Sequence, residues 1–281
     1  MIEVIKTGLY SSIQDKGRFG YENLGVPISG SMDQFSSTLS NKLLNNKQQD
    51  AVMEITMTGP VLKFHKKTII SITGADISPV LNNNPIRMNR AHSIEKGDVL
   101  SFGKLKYGIR SYLSVSGGFL TKKVMSSRSM YSNITESFRI VKGENLKINS
   151  IKKMNIDSLI TQFDYMDHFK SNEIKVFKGP EFESLSKTQK NEILKNQFTI
   201  SNDNNRMAFQ LKENLKNELK PIITSLVMQG TVQLTPSGKI IILMRDNQTC
   251  GGYPRILQLT ENAINKLSQK HMNNNIHFEL A

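Results

Sequence analysis

A chain of 281 residues, 38% hydrophobic and 22% charged, can build a packed core, which excludes wholesale disorder. Its net charge is +13, yet only 9 of the 37 basic residues are Arg, there is no Trp, and the lysines are scattered. That pattern argues against a nucleic-acid reader, which leans on Arg forks and aromatic stacking, and the longest apolar runs are far too short to cross a bilayer. The single cysteine, Cys250, rules out an intramolecular disulfide. With no basic, apolar leader at the start, a reducing cytoplasm is the expected compartment.

The chain opens on a strand-like alternation over residues 1–8. After Asp33, a good N-cap, Phe35, Leu39, Leu43 and Leu44 recur at helical spacing through Asn45 and predict a helix. Residues 68–73 read as a β-branched strand ending at Gly74. Residues 79–81 and 85–88 flank Asn82-Asn83-Asn84, a hairpin turn. Residues 99–102, 109–115, 173–177 and 240–244 continue the strand pattern. Further helices are expected over residues 185–194 and from Thr260, the latter with Ala263, Ile264 and Leu267 on one face. The expected fold is mainly β with a few short helices. Two β-rich lobes, residues 1–150 and 173–281, are joined by a polar, Lys-rich connecting segment, 151–172. No nucleotide-binding, zincin or nucleophile-elbow motif occurs. The five histidines have no metal-ligand spacing. Cys250 has no base among its sequence neighbours and reads as a bland, buried thiol.

Three segments depart from this strand-and-turn pattern. The first runs Gln14-Asp15-Lys16-Gly17-Arg18-Phe19-Gly20, then Gly25-Val26-Pro27-Ile28-Ser29-Gly30-Ser31-Met32-Asp33. Glycines let a backbone approach a ligand closely, and the helix start after Asp33 offers N–H groups to an anion. A long structural loop is the plain alternative, but loops of this length are usually functional. Arg18, set between glycines, reads as the partner of an anion or carboxylate. The second segment, Thr73-Gly74-Ala75-Asp76, is equally compatible with a simple turn. The third, residues 243–254, carries Asp246, Gln248, Thr249, Gly251, Gly252 and Tyr253 directly after an apolar strand. A carboxylate, an amide, a hydroxyl and backbone N–H groups in one loop suit the holding and polarising of an amide carbonyl. A hairpin with a Gly-Gly turn is the alternative.

Together these segments resemble the family of the C-type subunit of 5-oxoprolinase, also called allophanate hydrolase subunit 2, the KipA-like, biotin-dependent carboxyltransferase family. Gln14-Asp15, Gly17-Arg18, Gly20, Gly25-Val26-Pro27, Ser29-Gly30 and Met32-Asp33 carry the resemblance. So do Glu54-Ile55-Thr56, Gly59-Pro60, Thr73 to Asp76, Arg110 to Gly118, Gly179-Pro180, Arg206-Met207, Gly230 to Gln233, and Gln248-Thr249 with Gly251 to Pro254. The sequence departs from the family's usual pattern at Glu181, where Gln is usual, at Ala208-Phe209-Gln210, and at Arg245, Asn247 and Cys250.

The resemblance implies a cyclophilin-like β-barrel fold in two β-rich lobes. It implies a subunit of a 5-oxoprolinase that opens the lactam of 5-oxo-L-proline to L-glutamate. ATP, with Mg as its ion, is the co-substrate of that complex. The partners on this reading are a KipI-like B-type subunit and an A-type subunit, without which the chain is inactive; neither nucleic acid nor membrane is among them. By residue type, Asp76, Asp246, Gln248 and Thr249 are the catalytic candidates. Gln14, Asp15, Arg18, Gly20, Ser29, Gly30, Asp33, Gly74, Gly251, Gly252 and Tyr253 are the candidates for binding substrate or anion, and no metal ligand is assigned. One alternative is the carboxyltransferase subdomain of a biotin-dependent urea carboxylase or allophanate system, with biotin as carrier. The other is a non-enzymatic regulator of a histidine kinase inhibitor.

Overall fold

The computed structural model describes residues 1–149 and 166–281. Most of the expected connecting segment 151–172 therefore lies outside the described residues. The described chain divides into two compact units, one of residues 1–18 and 33–149, the other of residues 19–32 and 166–281.

The first unit is β-rich. Its strands are β1 (Ile2–Lys6), β2 (Tyr10–Gln14), β3 (Val52–Thr56), β4 (Val61–Phe64), β5 (Thr68–Asp76), β6 (Pro79–Leu81), β7 (Asn84–Pro85), β8 (Ala91–Ile94), β9 (Val99–Phe102), β10 (Tyr107–Val115) and β11 (Asn145–Leu146). One sheet has the order β11-β1-β4-β9-β6-β7 and the other β2-β3-β10-β5-β8. A core that includes Ile2, Ile13, Met53, Ile55, Phe64, Ile72 and Leu113, all fully buried, fills this unit. Each such side chain contributes about 1.5–3 kcal/mol by leaving water.

The hairpin at Asn82 forms, but its second strand is Asn84–Pro85 rather than the expected 85–88: Asn82 and Asn83 both take positive φ, at 48° and 68°, which suits a two-residue turn between twisted strands. The strand at residue 68 does not stop at Gly74. It runs on to Asp76, and Gly74 sits inside it at φ 84°. A Cβ there would lie 2.4 Å from the Arg110 carbonyl oxygen, so the glycine permits close approach of β10 at an irregularity in the ladder.

The helix after Asp33, α1 (Gln34–Lys42), is capped as expected, with the Asp33 carboxylate accepting the Ser36 N–H. Of the four apolar residues whose spacing predicts it, Leu43 and Leu44 are buried just past its end, but the face that the helix itself buries is polar. Ser36, Ser37, Ser40 and Asn41 are buried, whereas Phe35 and Leu39 are only partly so. The Ser40 and Ser114 hydroxyls meet at 2.6 Å, Ser71 Oγ donates to the Ser40 carbonyl at 2.6 Å, and Thr73 Oγ1 donates to the Ser36 carbonyl at 2.7 Å. Small hydroxyl side chains bring helix and sheet close and satisfy one another there, which larger apolar ones would prevent.

In the second unit, α2 (Met166–Lys170) precedes β12 (Glu173–Lys178), α3 (Lys187–Lys195), β13 (Phe198–Asn204), β14 (Ala208–Asn214), β15 (Ser225–Leu226), β16 (Thr231–Leu234), β17 (Lys239–Leu243), β18 (Cys250–Gly251), β19 (Arg255–Leu259), α4 (Glu261–Leu267) and β20 (Asn275–Leu280). Seven of these strands close a barrel in the order β12-β19-β16-β17-β14-β13-β20, and β15 pairs with β18 beside it. All of the barrel ladders are antiparallel except β12 with β20. α3 starts with a Ser186–Gln189 capping box, and α4 is capped by Thr260. Ala263, Ile264 and Leu267 are buried, as their spacing predicts. The barrel core includes Ile200, Phe209, Val232, Ile242 and Ile256, together with Met32 from the early segment 19–32. Among the described residues no helix is long and apolar enough to cross a membrane.

Candidate functional site

The second unit brings together two of the unusual segments. After the short 3₁₀ turn Glu22–Leu24, Gly25 takes a left-handed conformation at φ 76° and closes the turn. The chain then runs through Val26 to Met32, held by its main chain. The Ser29 N–H donates to the Arg245 carbonyl at 3.0 Å. Gln229 Nε2 donates to the Ser29 carbonyl at 3.4 Å and the Arg245 carbonyl at 3.1 Å. Arg206 Nη2 donates to the Gly30 carbonyl at 2.6 Å, and Arg245 Nε to the Met32 carbonyl at 3.3 Å. Three side chains some two hundred residues downstream thus fix a loop that would otherwise be free to flex.

The same side chains tie in the loop after β17. Asp246 accepts Arg206 Nε at 2.8 Å and Nη2 at 3.2 Å, so Arg206 bridges the Asp246 carboxylate and the Gly30 carbonyl. Both members of this pair are largely buried, and planar bidentate pairing is the strong form of the contact. Arg245, 1% exposed, spreads its guanidinium over Glu261 (2.5 Å), Gln229 (2.7 Å) and Asn265 (3.0 Å). Beyond Asp246, Asn247 Nδ2 donates to the Gln248 carbonyl at 2.6 Å, and the Val227 N–H to the Thr249 carbonyl at 3.1 Å. Gln248 Oε1 is buried and has no hydrogen-bond partner among the described residues. Gly251 pairs with Ser225 in the small β15–β18 sheet, and the neighbouring Cys250, expected to be buried, is exposed at this two-stranded edge. A Cβ on Gly251 would lie 2.6 Å from Gln233 Nε2, another buried polar atom with no partner among the described residues. Tyr253 is half-exposed at the end of the loop.

Between these elements lies a pocket of about 390 Å³. Pro27, Ile28, Leu226 and Met228 supply its apolar wall, and Gln229, Asn247 and Thr249 its neutral polar groups. Two carboxylates, Glu22 and Glu261, also line it. The Glu22 carboxylate accepts the Gly20 N–H at 2.8 Å, and that of Glu261 meets Arg245. An apolar cleft with a few converging polar groups is the general form of a small-molecule site. Of the expected site residues, Gly20, Ser29, Gly30, Asp246, Gln248, Thr249, Gly251, Gly252 and Tyr253 all fall in this unit.

Gln14, Asp15, Arg18, Asp33, Gly74 and Asp76 fall in the first unit. There Asp15 is saturated by protein. Its carboxylate accepts the Gly17 N–H at 2.9 Å, the Ser127 and Ser129 hydroxyls at 2.7 Å each, and the Arg128 N–H at 2.6 Å. Arg18 is fully buried and donates to the carbonyls of Ser129 at 2.8 Å and Val124 at 3.3 Å. Gln14 Nε2 donates to Ser12 Oγ and the Met130 carbonyl. The Gln14-Asp15-x-Gly-Arg run therefore knits β2 to the 124–130 loop. Asp76 accepts the Ser78 N–H at 2.8 Å and meets Lys106 Nζ at 3.2 Å.

Beneath Asp33 lies a buried relay whose other members, Glu54, Arg110 and Tyr112, stand in the motifs of the family resemblance but are not among the expected site residues. The Asp33 N–H donates to the Tyr112 hydroxyl at 2.7 Å, and that hydroxyl donates to the Glu54 carboxylate at 2.9 Å. Arg110 Nε stands 4.0 Å from the other Glu54 oxygen. Tyr112, Glu54 and Asp33 are all 0% exposed. Burial, with the charges of Glu54 and Asp33 beside it, holds the Tyr112 phenol well above its usual pKa. The signal for Glu54 is present in the sequence, an acid inside the apolar run Val52-Met53-Glu54-Ile55. Arg206 is marked only by the Arg206-Met207 pair of the family resemblance, and Gln229 and Glu261 carry no local signal.

Residues 24–280 match the profile of the carboxyltransferase domain, subdomain A and B. The chain is 28% identical over 284 aligned positions to the C-type subunit of 5-oxoprolinase from Escherichia coli K12, covering 99% of this chain and 90% of that protein. Its fold is that of the solved protein TTHA0988, with a TM-score of 0.89 at 23% identity, over 99% of this chain and 55% of that one. It is also similar to the Kluyveromyces lactis urea carboxylase, with a TM-score of 0.87 at 26% identity, over 99% of this chain and 27% of that one. The chain thus spans about half of one solved relative and about a quarter of the other. A profile match over nearly the whole length, on a mostly β chain with a closed seven-stranded barrel, places it: the chain belongs to the carboxyltransferase domain family, subdomain A and B.

Proposed function

We propose that the chain is a subunit of an ATP-dependent 5-oxoprolinase, acting with B-type and A-type partner subunits to open 5-oxo-L-proline to L-glutamate. The observation that carries this reading is its similarity, over almost the full length of both proteins, to a protein named as the C-type subunit of that enzyme. The chemistry explains the co-substrate. A five-membered lactam is a resonance-stabilised amide and a poor electrophile, and phosphorylating its oxygen makes the carbon attackable by water. Such a site needs donors for a carbonyl, and a polar group to orient water. The loop after β17 supplies candidates: the amide of Gln248, the hydroxyl of Thr249 and the backbone of Gly251 and Gly252. Asp246, held bidentate by Arg206, serves this loop as its anchor.

The test is reconstitution with the two partner subunits and measurement of 5-oxoproline-dependent ATP hydrolysis. The expected result is turnover only in the assembled complex, reduced at least tenfold by Gln248→Ala with folding intact. Strong turnover by the isolated chain, or none by any assembly, would overturn the reading. A second reading rests on the urea carboxylase match over 99% of this chain. There the chain accepts a carboxyl group from a biotin-bearing partner, and co-purification with a biotinylated protein decides for it.

A further inference from the structure

The pocket beside the loop after β17 has a charge pattern at odds with the rest of the molecule. The chain carries 37 basic and 24 acidic residues. Yet among the described residues Glu22 and Glu261 line this space of about 390 Å³, and no Lys, Arg or His does. The two acids differ in their surroundings. Glu261 is balanced by the buried Arg245 guanidinium. Glu22 has no ion-pair partner among the described residues: one oxygen accepts the Gly20 N–H at 2.8 Å, which anchors the carboxylate, and the other is open. The side-chain N–H groups that could meet an anion are already committed. Gln229 Nε2 donates to the Arg245 and Ser29 carbonyls, and its Oε1 accepts Arg245 Nη1. Asn247 is 6% exposed and donates Nδ2 to the Gln248 carbonyl at 2.6 Å, which orients the amide and leaves Oδ1 with no partner among the described residues. The Thr249 hydroxyl, whose nearest partner is Cys250 Sγ at 4.0 Å, is free to donate or accept.

The pocket thus offers acceptors in excess of donors, set against an apolar wall. Leu226 and Met228 in that wall are 71% and 64% exposed, so a ligand body laid on them covers apolar surface that water now meets. We propose that this pocket binds a small organic cation, an ammonium group on a compact aliphatic body. An ammonium carries donors only, and it complements the open oxygen of Glu22, Asn247 Oδ1 and the Thr249 hydroxyl. One positive charge balances Glu22, since Glu261 already has Arg245. The bond to Glu22 is charge-assisted, and an anchored carboxylate and a nearly buried amide lose little freedom on binding. Solvent weakens an exposed charge standing alone. The concave apolar setting and the open Asn247 oxygen distinguish this place from a solvated pair of acids. A carboxylate ligand would meet like charge here and no uncommitted side-chain N–H. The inference does not rest on the 5-oxoprolinase reading; joined to it, it means that the carboxylate of 5-oxo-L-proline is held outside this pocket.

The experiment is an amide-resolved NMR titration of the ¹⁵N-labelled full chain at constant ionic strength. The probes are cyclohexylammonium, cyclohexanecarboxylate, which has the same body and the opposite charge, and methylammonium, which has the charge without the body. The expected result is saturable shifts at Ile28, Met228 and Asn247 with cyclohexylammonium, and binding at least tenfold weaker with each of the other two. Glu22→Gln keeps an oxygen for the Gly20 N–H and so preserves the fold, but weakens cyclohexylammonium binding at least fivefold. Glu22→Lys removes the response. Glu95→Gln, at an exposed ion pair in the first unit, leaves it unchanged. Shifts that never saturate, an equal response to the carboxylate or to methylammonium, or a Glu22→Gln protein that binds like the parent would overturn the proposal. None of these outcomes bears on the 5-oxoprolinase reading, which is judged by turnover of the assembled complex.

Discussion

Tyr112→Phe tests the buried relay under Asp33. The substitution keeps the ring and removes one oxygen, which accepts the Asp33 N–H at 2.7 Å and donates to Glu54 at 2.9 Å. The two losses differ in kind. Taking the acceptor from a buried N–H costs about 1–3 kcal/mol, and a hydrogen bond to a charged group contributes about 1.5–3 kcal/mol. The contributions overlap, because the hydroxyl is shared and the neighbours relax, so the expected loss is about 2–4 kcal/mol. The pH dependence carries a separate signature. The folded phenol is held well above its usual pKa, so the folded state binds that proton more tightly than the unfolded one. Its stabilising contribution is whole below the unfolded value of about 10 and is lost as pH climbs above it. Urea unfolding of the full chain, followed by circular dichroism between pH 7 and 11, reads both. The parent protein should weaken above about pH 10, and Tyr112→Phe should start lower and fall less steeply there. A loss under about 0.5 kcal/mol at pH 7, well below the cost of an unmet buried hydrogen bond, would mean that the relay is not closed as described.

Other substitutions test other parts of the molecule. Arg245→Ala removes the donor to Gln229 and Asn265 and one partner of Glu261; stability should fall by about 2–4 kcal/mol in a denaturant titration, since Glu261 itself stays solvated. Arg18→Lys loses the buried donors to the Ser129 and Val124 carbonyls, so it should lower Tm measurably rather than act on activity alone. Glu181→Gln replaces a carboxylate that hydrogen bonds from Arg255 hold below its usual pKa. That contribution is present above the unfolded value of about 4.3 and is lost as pH falls through the folded one, so parent and variant should converge in stability on acidification. Convergence at pH 7 already would show that the pair contributes nothing. Gly74→Ala should be poorly tolerated, because its Cβ would meet the Arg110 carbonyl, and recovery of soluble protein at parental Tm would refute the close approach.

Much of this architecture is legible from the chain alone, for physical reasons that also mark where legibility ends. Local chemistry announces the Asn82-Asn83 turn, the Asp33, Ser186 and Thr260 caps and the apolar face of α4, because each depends on residues within a few positions of one another. α1 misleads because hydrophobic spacing reports what a helix could bury. Its sheet-facing surface is instead chosen by Ser71, Thr73 and Ser114, far along the chain. Arg18 misleads likewise: a basic residue among glycines looks ready for a ligand until the carbonyls of residues 124 and 129 come to it. In the loop after β17, the density of polar side chains is visible in sequence. The Arg206 clamp that holds it is not, since nothing near Arg206 names Asp246 and Gly30 as its partners.

Segment 19–32 has a consequence for how the chain is made. It is synthesised long before the barrel whose core receives Met32 and whose loops fix Ser29 and Gly30. For most of translation these residues have no partner, and their burial waits on loop closures spanning some two hundred residues, the kind of contact that folds late. A fragment cut to residues 173–281 would lack a strut of its own core, and one cut to residues 1–149 would carry that strut with nothing to bury it. The C-terminal half alone thus lacks part of its own core, so fragment complementation should need the full early segment, and a nick within residues 19–32 should loosen the barrel.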